Sequence, residues 1–220
     1  MTGILLSAFL ASAAYAAPPS AKVIAASGRV SAATGGVTRA AKTGDALADG
    51  DTLATGPASS AIAELPDGSR VKLRESTSLK LQISAKPAGM SGVFLELGGV
   101  FARVARCQSR HFGVSTAHAV ASVRGTEFFT AFGRESGDGR DLWICVGKGA
   151  VEVKADASPE PMLVNEGKGV LLPGGRKTTK PQFYEWTREL NWNMDPSRGA
   201  VADETKLDAA YSELRDQDYR

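Results

Sequence analysis

Hydrophobic and polar positions alternate along much of the first 180 residues. Val71 and Leu73 alternate with Arg70, Lys72 and Arg74; Leu79, Leu81 and Ile83 with Lys80 and Gln82; Val151 and Val153 with Glu152 and Lys154. A period of two turns one face of a strand into a core and the other to water. Turn signals separate the runs: Gly44-Asp45, Asp49-Gly50-Asp51, Asp67-Gly68-Ser69, Gly98-Gly99 and Pro173-Gly174-Gly175. Glycine supplies positive φ there, and Asp supplies local bonds to the backbone. The pattern predicts an all-β body over residues 21–180, with a hairpin at Asp67-Gly68 between Leu65 and Val71.

After Pro181 the period changes. Phe183, Trp186, Leu190 and Met194 share one helical face, and Leu207, Ala210, Tyr211 and Leu214 form a second stripe. The spacing predicts a C-terminal α-helical appendage over 181–220, packed on an edge or open end of the β body. Within the body, Val146-Gly147-Lys148-Gly149-Ala150-Val151 is echoed by Glu166-Gly167-Lys168-Gly169-Val170-Leu171, and Leu97-Gly98-Gly99-Val100 is a degenerate third copy. Strand–turn–strand units near a 20-residue period suggest a solenoid-like or roll-like sheet.

At the N-terminus, the apolar run Ile4 to Leu10 leads into small residues, with Ala14-Tyr15-Ala16 as a small-x-small site and Pro18-Pro19 after it. This predicts a cleaved leader over 1–16 and a periplasmic or secreted mature chain, although no Lys or Arg precedes the apolar run. No later run approaches a membrane-spanning length, so no transmembrane segment is expected after cleavage. An oxidising compartment permits a disulfide between Cys107 and Cys145. It would close a 38-residue loop and contribute about 4 kcal/mol. Two buried thiols are the alternative.

The 220 residues carry 26 Lys plus Arg and 24 Asp plus Glu. That balance argues against a nucleic-acid binder. It conceals an asymmetry: 181–220 holds nine acids and five bases, a net of −4, and 1–180 a net of +6. The tail could therefore dock on the body. Arg70, Lys72 and Arg74, with Arg103, Arg106 and Arg110, form a basic strand surface. It reads first as a solvated sheet face, and second as a place for an acidic partner or an anionic envelope polymer, with Trp186 and Trp192 nearby.

Candidate chemistry is sparse. No nucleophile elbow or phosphate-binding loop is present. Cys107 with His111 or His118 lacks a third orienting group for a thiol mechanism. His111, His118 and Glu127 match no closed zinc spacing. Asp45, Asp49 and Asp51 are too few oxygen donors for a calcium loop and read as turn residues. No catalytic residue, metal or cofactor is expected, and a hydrolase or lyase is the least favoured class.

Several blocks in order resemble the FecR domain: Gly28-Arg29-Val30, Gly44-Asp45, Gly50-Asp51-Thr52-Leu53, Asp67-Gly68-Ser69 with Arg70 to Leu73, Leu97-Gly98-Gly99-Val100, and Val123-Arg124-Gly125-Thr126-Glu127-Phe128. The resemblance spans roughly 24 to 172. It implies a solenoid-like all-β fold without catalysis. In the family's best-known members this domain follows a cytoplasmic anti-sigma segment and one membrane helix, and relays a signal from an outer-membrane transporter. Neither upstream part is recognisable here, so the chain resembles a stand-alone exported member with an envelope protein as partner. A peptidoglycan- or polysaccharide-binding module is the alternative. Asp67, Gly68, Ser69, Arg124, Gly125, Thr126, Glu127 and Phe128 read as a structural signature: Gly125 permits a bend, Thr126 and Glu127 bond freed backbone, and Phe128 returns the chain to the core.

Overall fold

A computed structural model describes residues 19–84, 89–106, 111–136, 139–158, 160–175 and 178–207. The expected leader, Cys107, Arg110, the side chain of Trp186 and the stripe beyond Leu207 lie outside the described residues.

Alternation becomes strands throughout the body. In chain order they are β1 (Ala21–Ser27), β2 (Val30–Thr34), β3 (Val37–Ala40), β4 (Ala46–Leu47), β5 (Thr52–Thr55), β6 (Ser60–Glu64), β7 (Arg70–Leu73), β8 (Ser78–Gln82) and β9 (Ser91–Arg103). Then come β10 (Phe112–Ser115), β11 (Ala119–Val123), β12 (Glu127–Ser136), β13 (Gly139–Lys148), β14 (Ala150–Ala155), β15 (Met162–Asn165), β16 (Lys168–Leu172) and β17 (Gln182–Phe183).

The pairings give two sheets that share one strand. The first runs β4-β1-β6-β7-β9-β12-β13-β16-β17, all antiparallel. The second runs β3-β2-β5-β8-β9-β10-β11-β14-β15, antiparallel except for the parallel β9–β10 pair. β9 gives residues 91–97 to the second sheet and its last six, 98–103, to the first. It turns between them at Gly98 (φ 97°), where a Cβ would lie 2.6 Å from the Thr77 Cα. That crossing explains why Leu97-Gly98-Gly99-Val100 stands out in the sequence.

The 20-residue echo marks corners at which the chain passes between sheets. Gly149 (φ 87°) leads from β13 to β14, and Gly167 (φ 76°) from β15 to β16. The two corners lie side by side: Glu166 N donates to Gly149 O, and Gly167 N to Val146 O, each at 2.8 Å.

The inward faces meet in one core that includes Val23, Val71, Leu79, Val93, Phe112, Phe128, Val151 and Val170. A second apolar cluster lies on the outer face of the first sheet. There Ile62, Phe101, Phe129, Trp143, Cys145 and Leu171 pack under Tyr184, Leu190 and Met194 of the C-terminal segment.

That segment is not the expected helix. Residues 181–206 hold β17, a 3-10 turn at Glu185–Arg188, another at Pro196–Arg198, and otherwise extended chain. Asn and Asp side chains compete with helical backbone bonds. Asn191 Oδ1 accepts from Asn193 N, Asn193 Oδ1 from Asp195 N and Asp195 Oδ1 from Ser197 N, each at 3.0 Å. These successive i to i+2 bonds hold the chain open. Leu190 and Met194 are buried as the stripe implied, but Phe183 sits 69% exposed on edge strand β17. The segment is a strap across the first sheet.

Candidate functional site

The outer face of the first sheet is organised in rungs of directly opposed residues. One runs Glu64, Arg70, Arg103, Glu127 and Lys148 across β6, β7, β9, β12 and β13. The next runs Ile62, Lys72, Phe101, Phe129 and Cys145. Gly99, Ala131, Trp143 and Leu171 make a third, beside which Arg74 N donates to Gly99 O at 2.9 Å.

The aromatic rung is ordered by its rings. Phe101 and Phe129 lie 4.6 Å apart, and Trp143 meets Phe129 edge-on at 5.8 Å. Trp192 of the strap meets Phe101 edge-on at 5.4 Å. Its ring also lies over Gly147, where a Cβ would be 2.9 Å away, and the Tyr184 ring lies equally close over Gly169. Two glycines of the echo thus form the floor on which strap aromatics rest.

Two cations of the basic strip along β7, Lys72 and the following Arg74, are not solvated. Lys72 and Arg74 are only 1% and 8% exposed, because the strap covers them. Lys72 Nζ donates to the Asn191 carbonyl and, at 3.0 Å, to that of Asn193, and lies 4.1 Å from the centre of the Phe101 ring. Burial pushes the Lys72 ammonium down to about 8; nearby Asp203 opposes this, while Arg103 and Arg74 add to it. Arg74 Nε meets Asp203 Oδ2 at 2.7 Å, and Arg74 Nη2 donates to Thr205 O at 2.6 Å. Asp203 Oδ1 accepts from Asn191 N at 2.8 Å and from Thr205 Oγ1 at 2.9 Å, tying the two limbs of the strap together.

The two signature segments converge where β9 leaves the sheet. Asp67 Oδ1 accepts from Ser69 N at 3.0 Å, closing the β6–β7 hairpin. Gly68 there has φ 82°. The buried Ser69 Oγ accepts from Ala105 N at 3.2 Å. From the other side Thr126 O accepts from Val104 N at 2.9 Å, and Thr126 Oγ1 donates to Ala150 O at 2.9 Å. Gly125 has φ 69° at the corner from β11 to β12, with the Arg106 side chain lying across it. Glu127 pairs with Arg103 at 3.0 Å rather than bonding freed backbone. Phe128 points into the core and Phe129 under the strap. Exposed Arg124 flanks this corner.

Other sequence candidates are dispersed. Asp45 Oδ2 and Asp51 Oδ2 accept from Lys42 N and Ala48 N within their turns, while Asp49 Oδ1 accepts from Ile83 N. His118 lies against Gly175. Among the described residues no three His, Cys, Asp or Glu side chains are placed to share a cation, so His111, His118 and Glu127 form no joint site. Cys145 is a buried free thiol, raised well above its ordinary pKa by burial. Also among the described residues, no helix is long and apolar enough to cross a membrane.

A cleft opens on this face beside the charged rung. Arg70, Arg103, Trp192, Asn193, Asp195, Arg198 and Ala200 line a cleft of about 520 Å³ between the end of the charged rung and the strap. The strap was the part that sequence reasoning missed. The run Asn191-Trp192-Asn193-Met194-Asp195-Pro196 was its available signal, since alternate Asx residues before proline favour turns over helix.

Comparison with known proteins agrees with this architecture. Two crystal structures of a proposed anti-sigma factor from Parabacteroides distasonis ATCC 8503 share the fold. The 1.65 Å structure aligns with a TM-score of 0.55 at 19% identity, covering 74% of this chain and 73% of that one. The 2.50 Å structure gives 0.54 at 17%, covering 74% and 89%. No curated protein matches the chain. The pattern of the family described as FecR protein matches residues 51–165, which include both signature segments and the β9 crossing. On that match, spanning just over half of its length, the chain belongs to the FecR protein family.

Proposed function

We propose that the protein is an exported, non-catalytic FecR module that binds another protein in signalling or scaffolding at the bacterial envelope. The observation that carries this reading is the family match over residues 51–165. The fold shared with a proposed anti-sigma factor supports a regulatory role. The use of the signature side chains supports it further. Ser69 and Thr126 bond the backbone around the end of β9, and Glu127 holds Arg103 beside the strap. These polar groups serve the fold. The polysaccharide reading has less behind it, because Trp192 is packed on Phe101 and Gly147.

Two measurements test the proposal. Residues 1–30 fused to a reporter active only outside the cytoplasm should give activity, and retention inside would remove the export claim. A photo-crosslinking residue at Arg106 or Lys148 in living cells should yield one discrete protein adduct. Saturable binding to purified sacculi without any protein adduct would replace this reading with the polymer one.

A further inference from the structure

Three cations alternate along the outer face of β7 and the residue that follows it, Arg70, Lys72 and Arg74. Two are filled by the strap. Lys72 takes two main-chain carbonyls, and Arg74 takes the Asp203 carboxylate together with the Thr205 carbonyl. The third cation is differently placed. Arg70 stands directly opposite Arg103 on β9, a like-charge cross-strand pair that is unfavourable by itself.

Lateral partners satisfy only part of each guanidinium. Arg70 Nε donates to Glu64 at 2.8 Å. Arg103 Nε donates to Glu127 at 3.0 Å, and its Nη2 to Glu127 at 3.5 Å and Trp192 O at 3.2 Å. Neither terminal nitrogen of Arg70, nor any side-chain nitrogen of exposed Arg198, donates to a described residue. These three arginines face the cleft of about 520 Å³. The strap forms its other wall, where Asp195 spends Oδ1 on Ser197 N and Oγ.

We propose that this cleft is a docking site for an acidic, extended peptide segment of a partner protein, with a carboxylate received by Arg70 and Arg198 beside Arg103. Guanidinium groups match carboxylates in geometry as well as charge. The occupant's chemistry follows from the neighbouring rungs, where the same strand binds an extended acidic segment through one carboxylate and several carbonyls. Glu64, Glu127 and Asp195 border the site, and their charge disfavours a dense dianion such as phosphate. A single carboxylate with amide carbonyls suits such a border better. This inference rests on the protein-binding reading and gives it a surface.

The test uses the full mature chain and a labelled pentapeptide of alternating Asp and Glu between alanines. Its amide counterpart of Asn and Gln is the control, and inorganic phosphate is the competitor. Saturable binding of the acidic peptide is expected, weakened at least about tenfold by Arg198→Gln and by Arg70→Gln, and lost in high salt. Arg198 is exposed, so its variant should fold normally; unchanged amide exchange of the strap would verify this. Equal binding of acidic and amide peptides, or binding indifferent to Arg198→Gln, would overturn the site. Displacement by millimolar phosphate would overturn the peptide assignment in favour of a phosphate site. In cells, an adduct from Lys148 that persists in Arg198→Gln would sink this site while leaving the protein-binding reading intact. Peptide binding with no adduct from any position would do the reverse.

Discussion

Removing the Asp203 carboxylate should release the distal limb of the strap. In Asp203→Ala, Arg74 loses the partner at 2.7 Å, and Asn191 N and Thr205 Oγ1 lose their acceptor. The two side chains of the pair are 8% and 1% exposed, so water cannot substitute while the strap stays down. Breaking one side of such a buried pair costs about 3–5 kcal/mol. The proximal limb has more to hold it. Tyr184, Leu190 and Met194 are buried, and each is worth about 1.5–3 kcal/mol by area. The limb from 200 to 207 should therefore open while 184–194 stays. A loss of about 3 kcal/mol is a factor of about 100 in the opening equilibrium. Exchange of the Asn191 amide should quicken by about that factor, and trypsin should cut at Lys206 much sooner, with no change at Arg188. Pairing Asp203→Leu with Arg74→Met should cost less than either single change. An Asn191 amide within tenfold of wild type, with unchanged cleavage at Lys206, would refute the role of this carboxylate as the lock.

Other perturbations address the core, the buried lysine and the strap's seat. Thr130 is 1% exposed, and its hydroxyl has no hydrogen-bond partner among the described residues, so Thr130→Val should raise stability by about 1–2 kcal/mol, read as a higher urea midpoint at constant slope. Lys72 titrates near 8 when folded and near 10.4 in an unfolded chain. The unfolded state thus binds more protons between those values, and stability should rise with pH across that window by up to about 3 kcal/mol, flat in Lys72→Met. A Cβ at Gly147 would stand 2.9 Å from the Trp192 ring, so Gly147→Ala should weaken strap protection by about 1–3 kcal/mol in hydrogen exchange while leaving the β11–β14 amides unchanged.

The body was legible because its strands obey the simplest rule. Val71 and Leu73 face the core as their alternation with Arg70, Lys72 and Arg74 requires. The Asp67-Gly68 hairpin follows from local chemistry that no distant contact overrides. The echo was visible, but its cause was not. Gly149 and Gly167 turn corners, whereas Gly147 and Gly169 are bare because rings lie on them. The strap was misread because Leu190 and Met194, four residues apart, fit a helix as well as an extended chain that drops one side chain at a time onto a sheet. The polar side of β7 misled for a related reason. Alternation says which residues avoid the core, but not whether another part of the chain covers them. Lys72 shows the difference: it points away from the core and is still buried.

The opposed charges of body and tail meet less directly than their totals suggest. Among the described residues, the one ion pair between them is Arg74 with Asp203; Glu185 pairs within the strap, with Arg188. Otherwise the body's cations meet carbonyl oxygens, those of Asn191, Asn193, Trp192 and Thr205. Such acceptors come from any extended backbone, so the cations of β7 and β9 read chain path more than sequence. Sequence enters at two points, the single buried carboxylate and the aromatic rings seated on glycine. This explains how an extended segment with little secondary structure can be held firmly on a sheet face. It also explains why the partly satisfied Arg70 rung needs only a carboxylate and a run of peptide from its partner. The edge of the strap then becomes one wall of the partner's site, and a change that frees the strap would remove that wall.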